Sequence, residues 1–219
     1  MDGPDPPPVK PPTLLDRAEL AVDPLDAARV LLGCELVADT DDGEVRVRLV
    51  EVEAYRGEDD PGSHCYRGRT ARNAVMWGPA GHLYVYFVYG MHFCANVVAL
   101  DDGRPGAVLL RAGEVLSDPG VAHVRRPTAR GRDAELGRGP ARLCTLLGIG
   151  RAQNGVDVLD PASPVRLESG ERLPDAAVRS GPRVGVAAGQ QRPWRLWVAG
   201  SRAVTPYKAG RVRAEGPDW

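Results

Sequence analysis

Leu25, Ala28, Leu31 and Leu32 recur at the spacing of one helical face, after Asp23-Pro24 and before Gly33. This predicts a short amphipathic helix. An aspartate oxygen can accept from the first free amide N–H groups, and proline's fixed φ suits the first helical position. The period then changes. CELVA, DTDDG and EVRVRLVEVEAY alternate around a polar turn and predict a β-hairpin, with Val45, Val47 and Leu49 on one face of its second arm. Two residues on, the same alternate positions become Glu51, Glu53 and Tyr55, opposite Val50, Val52 and Ala54. A face that turns from apolar to acidic within one strand predicts a strand end that is buried on both sides or bulged.

YVYFVYGMHFCAN, Tyr84 to Asn96, reads as strand, turn and strand, but its tip is Tyr-Gly-Met-His where a hairpin usually has Asn-Gly or Asp-Gly. AVLLR, PVRLE, PRVGV and PWRLWVA predict further short strands, and GPARLCTLLG predicts a helix ended by Gly148. Residues 56–82 form a loop rich in Gly, Arg and Asp, and residues 117–140 are dense in Gly, Pro and Arg. Six prolines in residues 1–12 predict a disordered or extended tail. With no repeat and no dividing linker, residues 13–219 are expected to form one mixed α+β domain on an antiparallel sheet.

Composition sharpens this picture in a few places. The chain has 219 residues, 43% hydrophobic and 26% charged, ample for a buried core. No apolar stretch approaches the roughly 18 residues of a membrane span, and no signal core stands at the start, so a cytoplasmic protein is expected. Cys34, Cys65, Cys94 and Cys144 are 31, 29 and 50 positions apart and form no CxxC pair. They signal neither zinc nor disulfides and read as small buried residues in a reducing compartment. The net charge of -1 conceals 6 basic and 16 acidic residues in 1–60 against 22 basic and 13 acidic in 61–219. A polyanionic partner therefore remains compatible with the total. Lys10 and Lys208 are the only lysines.

A carboxylate on a buried strand is costly without a partner or a task. Glu51 and Glu53 are open to two readings: pairing with arginines on a solvated face, or acid-base chemistry. Of twelve aromatic residues, eight lie between Tyr55 and Phe93, interleaved with Arg67, Arg69 and Arg72. Flat faces beside cations suit nucleobases and phosphates, and a tyrosine-rich core is the alternative. An exposed Tyr and Met at the hairpin tip would be a hazard unless something covers them. A wedge between base pairs is one such use, and packing within the chain is another.

VEVEAYRGEDDPGSH, RNAVMWGPAGHLYVYFVYGMHFCANVV, AVLLRA, GPARLC and RVGV occur in that order, and together they resemble the alkyladenine (3-methyladenine) DNA glycosylases of the mammalian type. The resemblance spans about residues 14–205. It implies a single α+β domain with a curved antiparallel sheet, surrounding helices and a protruding β-hairpin, acting on duplex DNA that contains damaged purines. Carried over by position, Glu53 matches the general base, and Arg111 and the backbone of Val184 match groups that help to hold the attacking water. Tyr55 and His64 match one wall of the base pocket and Tyr86 the other, with the His64 main-chain N–H offered to the base edge. Asn96 matches the group that crowds out guanine's amino group. Tyr89 matches the wedge, with Met91 beside it, and Arg67, Arg69, Arg72 and Arg142 match a DNA-backbone set. The chain departs from the family form by being one residue shorter between His64 and Arg72, and by His92 where an aromatic is expected. A strand-cutting glycosylase needs an amine for a Schiff base, and neither Lys10 in the tail nor Lys208 near the C-terminus is near a candidate site in sequence, so a monofunctional enzyme is expected. A monomer without metal or organic cofactor is expected, associated with the nucleoid if bacterial. Two other classes are kept in view. One is a sugar-directed hydrolase using Glu51 and Glu53, which would be about 6.5–7 Å apart on one strand. The other is a binder of distorted nucleic acid that would not need Glu53.

Overall fold

A computed structural model of the protein describes residues 13–88, 90–129, 132–170 and 172–210. The tail expected over residues 1–12, and Tyr89, lie outside the described residues. After a one-turn helix α1 (Arg17–Leu20), the Asp23 side chain accepts from the Leu25 N–H at 2.9 Å and starts α2 (Pro24–Leu31), as the sequence predicts. Strands β1 (Glu35–Thr40) and β2 (Gly43–Tyr55) form the expected hairpin, with Leu36 opposite Val47. Val45, Val47 and Leu49 are all fully buried.

The sheet adds β3 (Leu83–Val88), β4 (His92–Val98), β5 (Ala107–Val115), β6 (Gly137–Arg138), β7 (Val165–Glu168), β8 (Val178–Gly181) and β9 (Arg195–Val198). Its main path is β3-β4-β5-β2-β1-β7, with β6 on β5, and with β9 carrying β8 onto β2. Every pairing is antiparallel, and the sheet curls into a half-barrel. The fold is therefore α+β in a single domain.

Strand alternation divides the molecule. Leu83 and Val85 of β3, Ala95 and Val97 of β4, Val108 and Leu110 of β5, and Val52 and Ala54 of β2 enter one core. That core also takes Leu31 of α2 and Leu143 and Leu146 of a helix α4 (Pro140–Leu146). The intervening residues, Glu53, Tyr55, Tyr84, Tyr86, Cys94, Asn96, Leu109 and Arg111, fall on the opposite face by the two-residue period. One face holds the fold and the other carries reactive groups.

One expectation needs correction, and one segment holds an element that its composition does not signal. PRVGV forms a turn instead of a strand, and the strand of that region is β8, just before it. The Arg-rich segment from 117 contains a helix α3 (Pro119–Arg125), started by the Asp118 side chain accepting from the Gly120 N–H at 2.8 Å. In both places side-chain hydrogen bonds to the backbone decide the conformation, and hydrophobic period does not report them.

The β3–β4 hairpin closes with Val88 opposite His92 and with Gly90 at φ +70°, a left-handed turn residue. Met91 is 70% exposed and Phe87 43% exposed, so the tip is apolar and uncovered. All four cysteines are free and buried. Burial pushes the Cys34 thiol up to about 11 and that of Cys65 up to about 12, and it also raises Cys94 and Cys144. No helix among the described residues is long and apolar enough to cross a membrane.

Candidate active site

The register of β2 against β5 shifts twice around Glu51, between Leu49/Gly113 and Glu51/Ala112 and again between Glu51/Ala112 and Val52/Leu110. Val50 and then Arg111 are left without a directly opposite residue. Such bulges re-aim a side chain, and the second delivers Arg111 to both carboxylates. Its Nε donates to Glu51 Oε1 at 2.9 Å, and Nη1 lies 3.4 Å from Glu53 Oε2. The bulged, doubly buried strand end expected from sequence is present, but the solvated face is not: Glu51 and Glu53 are both 0% exposed.

The two glutamates differ in what they have left to offer. Glu51 accepts from Arg111, Arg195, the Thr205 N–H and the Thr205 hydroxyl, so its oxygens are committed to structure. Glu53 accepts the Val184 N–H on Oε1 at 2.7 Å and the Tyr55 hydroxyl on Oε2 at 2.9 Å. Burial raises the Glu53 pKa above the ordinary glutamate value, against the pull of Arg111, the Val184 amide and Tyr55, and Glu51 pushes the same way as burial. Burial by itself would lower Arg111, but Glu53 and Glu51 outweigh it and hold the guanidinium charged. A buried carboxylate with a raised pKa beside a fixed cation can accept a proton from a group in front of it.

A cavity of about 940 Å³ opens on this face. Tyr55, His64, Tyr84, Tyr86, Asn96, Arg111 and Val184 line it, and Glu53 stands directly behind the wall made by its own partners Tyr55, Arg111 and Val184. Tyr84 and Tyr86 stack with centroids 5.4 Å apart, and His64 meets Tyr86 edge-on at 4.5 Å. His64 Nδ1 is 3.0 Å from the Tyr84 hydroxyl. Burial and the nearby Arg72 lower the His64 pKa, keeping the imidazole neutral around pH 7. Asn96 donates to the Tyr84 carbonyl at 3.3 Å and is 4% exposed, a stiff wall of the cavity.

Comparison with known proteins is decisive for the family. Residues 18–202 match the family model described as methylpurine-DNA glycosylase. This chain belongs to the methylpurine-DNA glycosylase family. It is 55% identical over 195 residues to a protein of Nocardia farcinica named as a 3-methyladenine DNA glycosylase, covering 87% of this chain and 90% of that one. Similar relatives bearing the same name occur in Streptomyces avermitilis, 51% identical over 92% of this chain and 95% of that one, and in Mycobacterium tuberculosis, 46% identical over 92% and 98%. The protein is thus a DNA glycosylase, a hydrolase of N-glycosyl bonds with DNA as its substrate.

Several residues of the glycosylase escape a reading of the sequence alone. Asn73 staples the loop that carries His64, donating to the His64 and Gly68 carbonyls at 2.8 and 3.2 Å while accepting from Thr70. Its presence in the RNAV block is the one signal available in advance. Lys208, remote from the site in sequence, lines the cavity, because its carbonyl accepts the Gly185 N–H at 2.8 Å. Its side chain is exposed, unlike the desolvated lysines that act as nucleophiles. Arg67, Arg69 and Arg72 are exposed and have no carboxylate partner among the described residues, and Arg142 is 3.7 Å from Glu135. Among the described residues, no cluster of three or more His, Cys, Asp or Glu side chains has the arrangement of a metal site.

Proposed function

We propose that the glycosylase flips alkylated purines such as 3-methyladenine and 7-methylguanine out of duplex DNA and cleaves their N-glycosidic bond with water activated by Glu53. The supporting observation is the buried Glu53 carboxylate, fixed by Val184, Tyr55 and Arg111 behind an aromatic cavity. Extrusion is required because the bond is unreachable inside a duplex. The base enters between Tyr55 and His64 on one side and Tyr86 on the other, and the imidazole swings away from its edge-on contact with Tyr86 to admit it. Met91, with Tyr89, fills the vacated stack, and Arg67, Arg69, Arg72 and Arg142 hold phosphates. The protein acts as a monomer.

Alkylation at N3 of adenine or N7 of guanine makes the base a cationic leaving group, so no acid is needed. Glu53 takes a proton from water aimed at C1′, and its charge offsets the oxocarbenium character that develops on the sugar. Neutral lesions such as hypoxanthine or ethenoadenine must gain a proton as they leave and are expected to react more slowly. Against a sugar hydrolase stands Glu51, whose two oxygens take four hydrogen bonds. The test is release of 7-methylguanine from a labelled duplex, followed by hot alkali. Strand cleavage that depends on alkali is the expected result, and binding without base release would favour a damage-binding protein.

Two further outcomes follow from the same site. Asn96→Ala is expected to raise excision of normal guanine by about tenfold or more, the scale of removing one steric contact in a pocket. An unchanged rate on undamaged DNA would exclude Asn96 as the gate. A lyase forms a Schiff base through an amine. With Lys208 exposed at the rim, borohydride is expected to trap no protein-DNA adduct; an adduct lost in Lys208→Ala would make the enzyme bifunctional.

A further inference from the structure

Arg183 and Asp60 are both 0% exposed, and theirs is the one ion pair among the described residues with both side chains fully buried. The Arg183 Nη1 and Nη2 donate to the two Asp60 oxygens at 2.5 and 2.8 Å. Nη1 also donates at 3.0 Å to the carbonyl of Ala54, the residue between Glu53 and Tyr55. The guanidinium lies 4.5 Å from the centre of the Tyr55 ring and 5.1 Å from that of Trp194. Asp60 in turn accepts from the Gly62 and Arg56 N–H groups at 3.0 and 3.3 Å. Gly62 is pressed so close that a Cβ there would stand 2.7 Å from Arg183 Nη2.

A wholly buried ion pair adds little stability over well-packed apolar residues, so its value must be sought in geometry. A bidentate fork fixes both distance and orientation. Here it joins three segments: the end of β2, the loop 56–64 that carries His64, and the turn whose next residue is Val184. We propose that the Arg183–Asp60 pair is a positioning device for catalysis, holding the Val184 amide and the Tyr55 ring in register with Glu53. The proposal rests on the reading of Glu53 as the base. Arg183 makes no hydrogen bond to Glu53 itself; it acts through its neighbours.

The groups that face Glu53 are Tyr55 and Glu51 on its own strand, Arg111 on β5 and the Val184 amide, with Tyr86 of β3 close enough to feel its charge. Loosening the Val184 turn withdraws one hydrogen bond from the carboxylate, so Glu53 binds its proton more tightly. Arg183→Lys keeps the charge and loses the fork, and Asp60→Asn keeps the shape and loses the charge. Gly62→Ala leaves both charges in place and presses on the guanidinium and on Val186 Cγ1, each 2.7 Å from the new Cβ. Single-turnover release of 7-methylguanine is to be followed against pH, with binding to a duplex containing an uncleavable abasic analogue measured alongside.

For folded Arg183→Lys and Asp60→Asn, the expected result is a loss of about 100-fold in rate, the effect of a misplacement near 1 Å. The acid limb of the profile moves to higher pH, affinity for the abasic analogue changes little, and Gly62→Ala shifts rate and limb in the same direction. A merely structural staple would move stability and leave the limb where it is. Folded variants with the wild-type rate and limb overturn the proposal, and so does failure of all three to fold, which would make the pair structural. If wild type releases no base, the reading of Glu53 falls and this proposal with it. If wild type is active and Arg183→Lys matches it, this proposal alone falls.

Discussion

Glu53→Gln is expected to bind lesion-containing duplex with near wild-type affinity and to lose base release by about 10²–10⁴-fold, the range of a lost general base. The replacement is nearly isosteric. Its carbonyl oxygen can remain on the Val184 N–H, and its NH₂ can donate to the Tyr55 oxygen once that hydroxyl turns, so the cavity wall is preserved. The check is single-turnover release of 7-methylguanine with alkali development. A variant that still turns over at the wild-type rate would remove Glu53 from the mechanism.

The same substitution has a stability signature whose sign can be worked out. Burial places the folded pKa of Glu53 above the ordinary glutamate value of 4.5, so the native state holds this proton more tightly than the unfolded chain. The contribution is present in acid and is lost as pH rises through the folded pKa. Once ionised, above that raised folded pKa, the wild type carries a buried charge that Gln does not. Thermal unfolding should find Glu53→Gln at least as stable as wild type at pH 7, with the advantage vanishing below pH 4.5. If Glu53 is the base, as proposed, activity is expected to follow the opposite course, because a base works ionised and excision then falls as pH drops through the raised pKa.

Arg111→Met is expected to be the more damaging change to the fold. It removes the cation shared by Glu51 and Glu53, both fully buried. Glu51 keeps Arg195 and Thr205, but Glu53 keeps only the Val184 amide and the Tyr55 hydroxyl. Breaking a buried pair from one side destabilises by about 3–5 kcal/mol, and urea unfolding at pH 7 reads that loss. Without its cation Glu53 holds its proton more tightly still, so the deficit should shrink as the pH is lowered toward 4.5. A deficit independent of pH would mean that lost packing, and not the uncompensated carboxylate, is responsible.

The β1–β2 hairpin and α2 are legible in the sequence because each is specified by local period and a local cap. The switch of polar face at Glu51 correctly signals a bulge, but alternation cannot say that the bulge on the opposite strand turns Arg111 inward. RVGV imitates a strand, yet its backbone is recruited elsewhere: the Val184 N–H goes to Glu53 and the Gly185 N–H to the Lys208 carbonyl. Those partners are distant in sequence and leave no mark on it. For the same reason the Arg183–Asp60 pair could not be read beforehand, and Lys208 looked remote from the site. The family resemblance supplies Glu53, Arg111 and Val184 as a set, and the fold brings the three within hydrogen-bonding or ion-pairing distance.

The buried thiols have a bearing on how long such an enzyme lasts. Electrophiles that methylate purines also attack sulfur, and they attack the thiolate far faster than the thiol. All four cysteines of this chain are buried and held protonated, with Cys94 lining the aromatic cavity. A burst of alkylating agent therefore finds these thiols buried and protonated, poor targets on a DNA glycosylase.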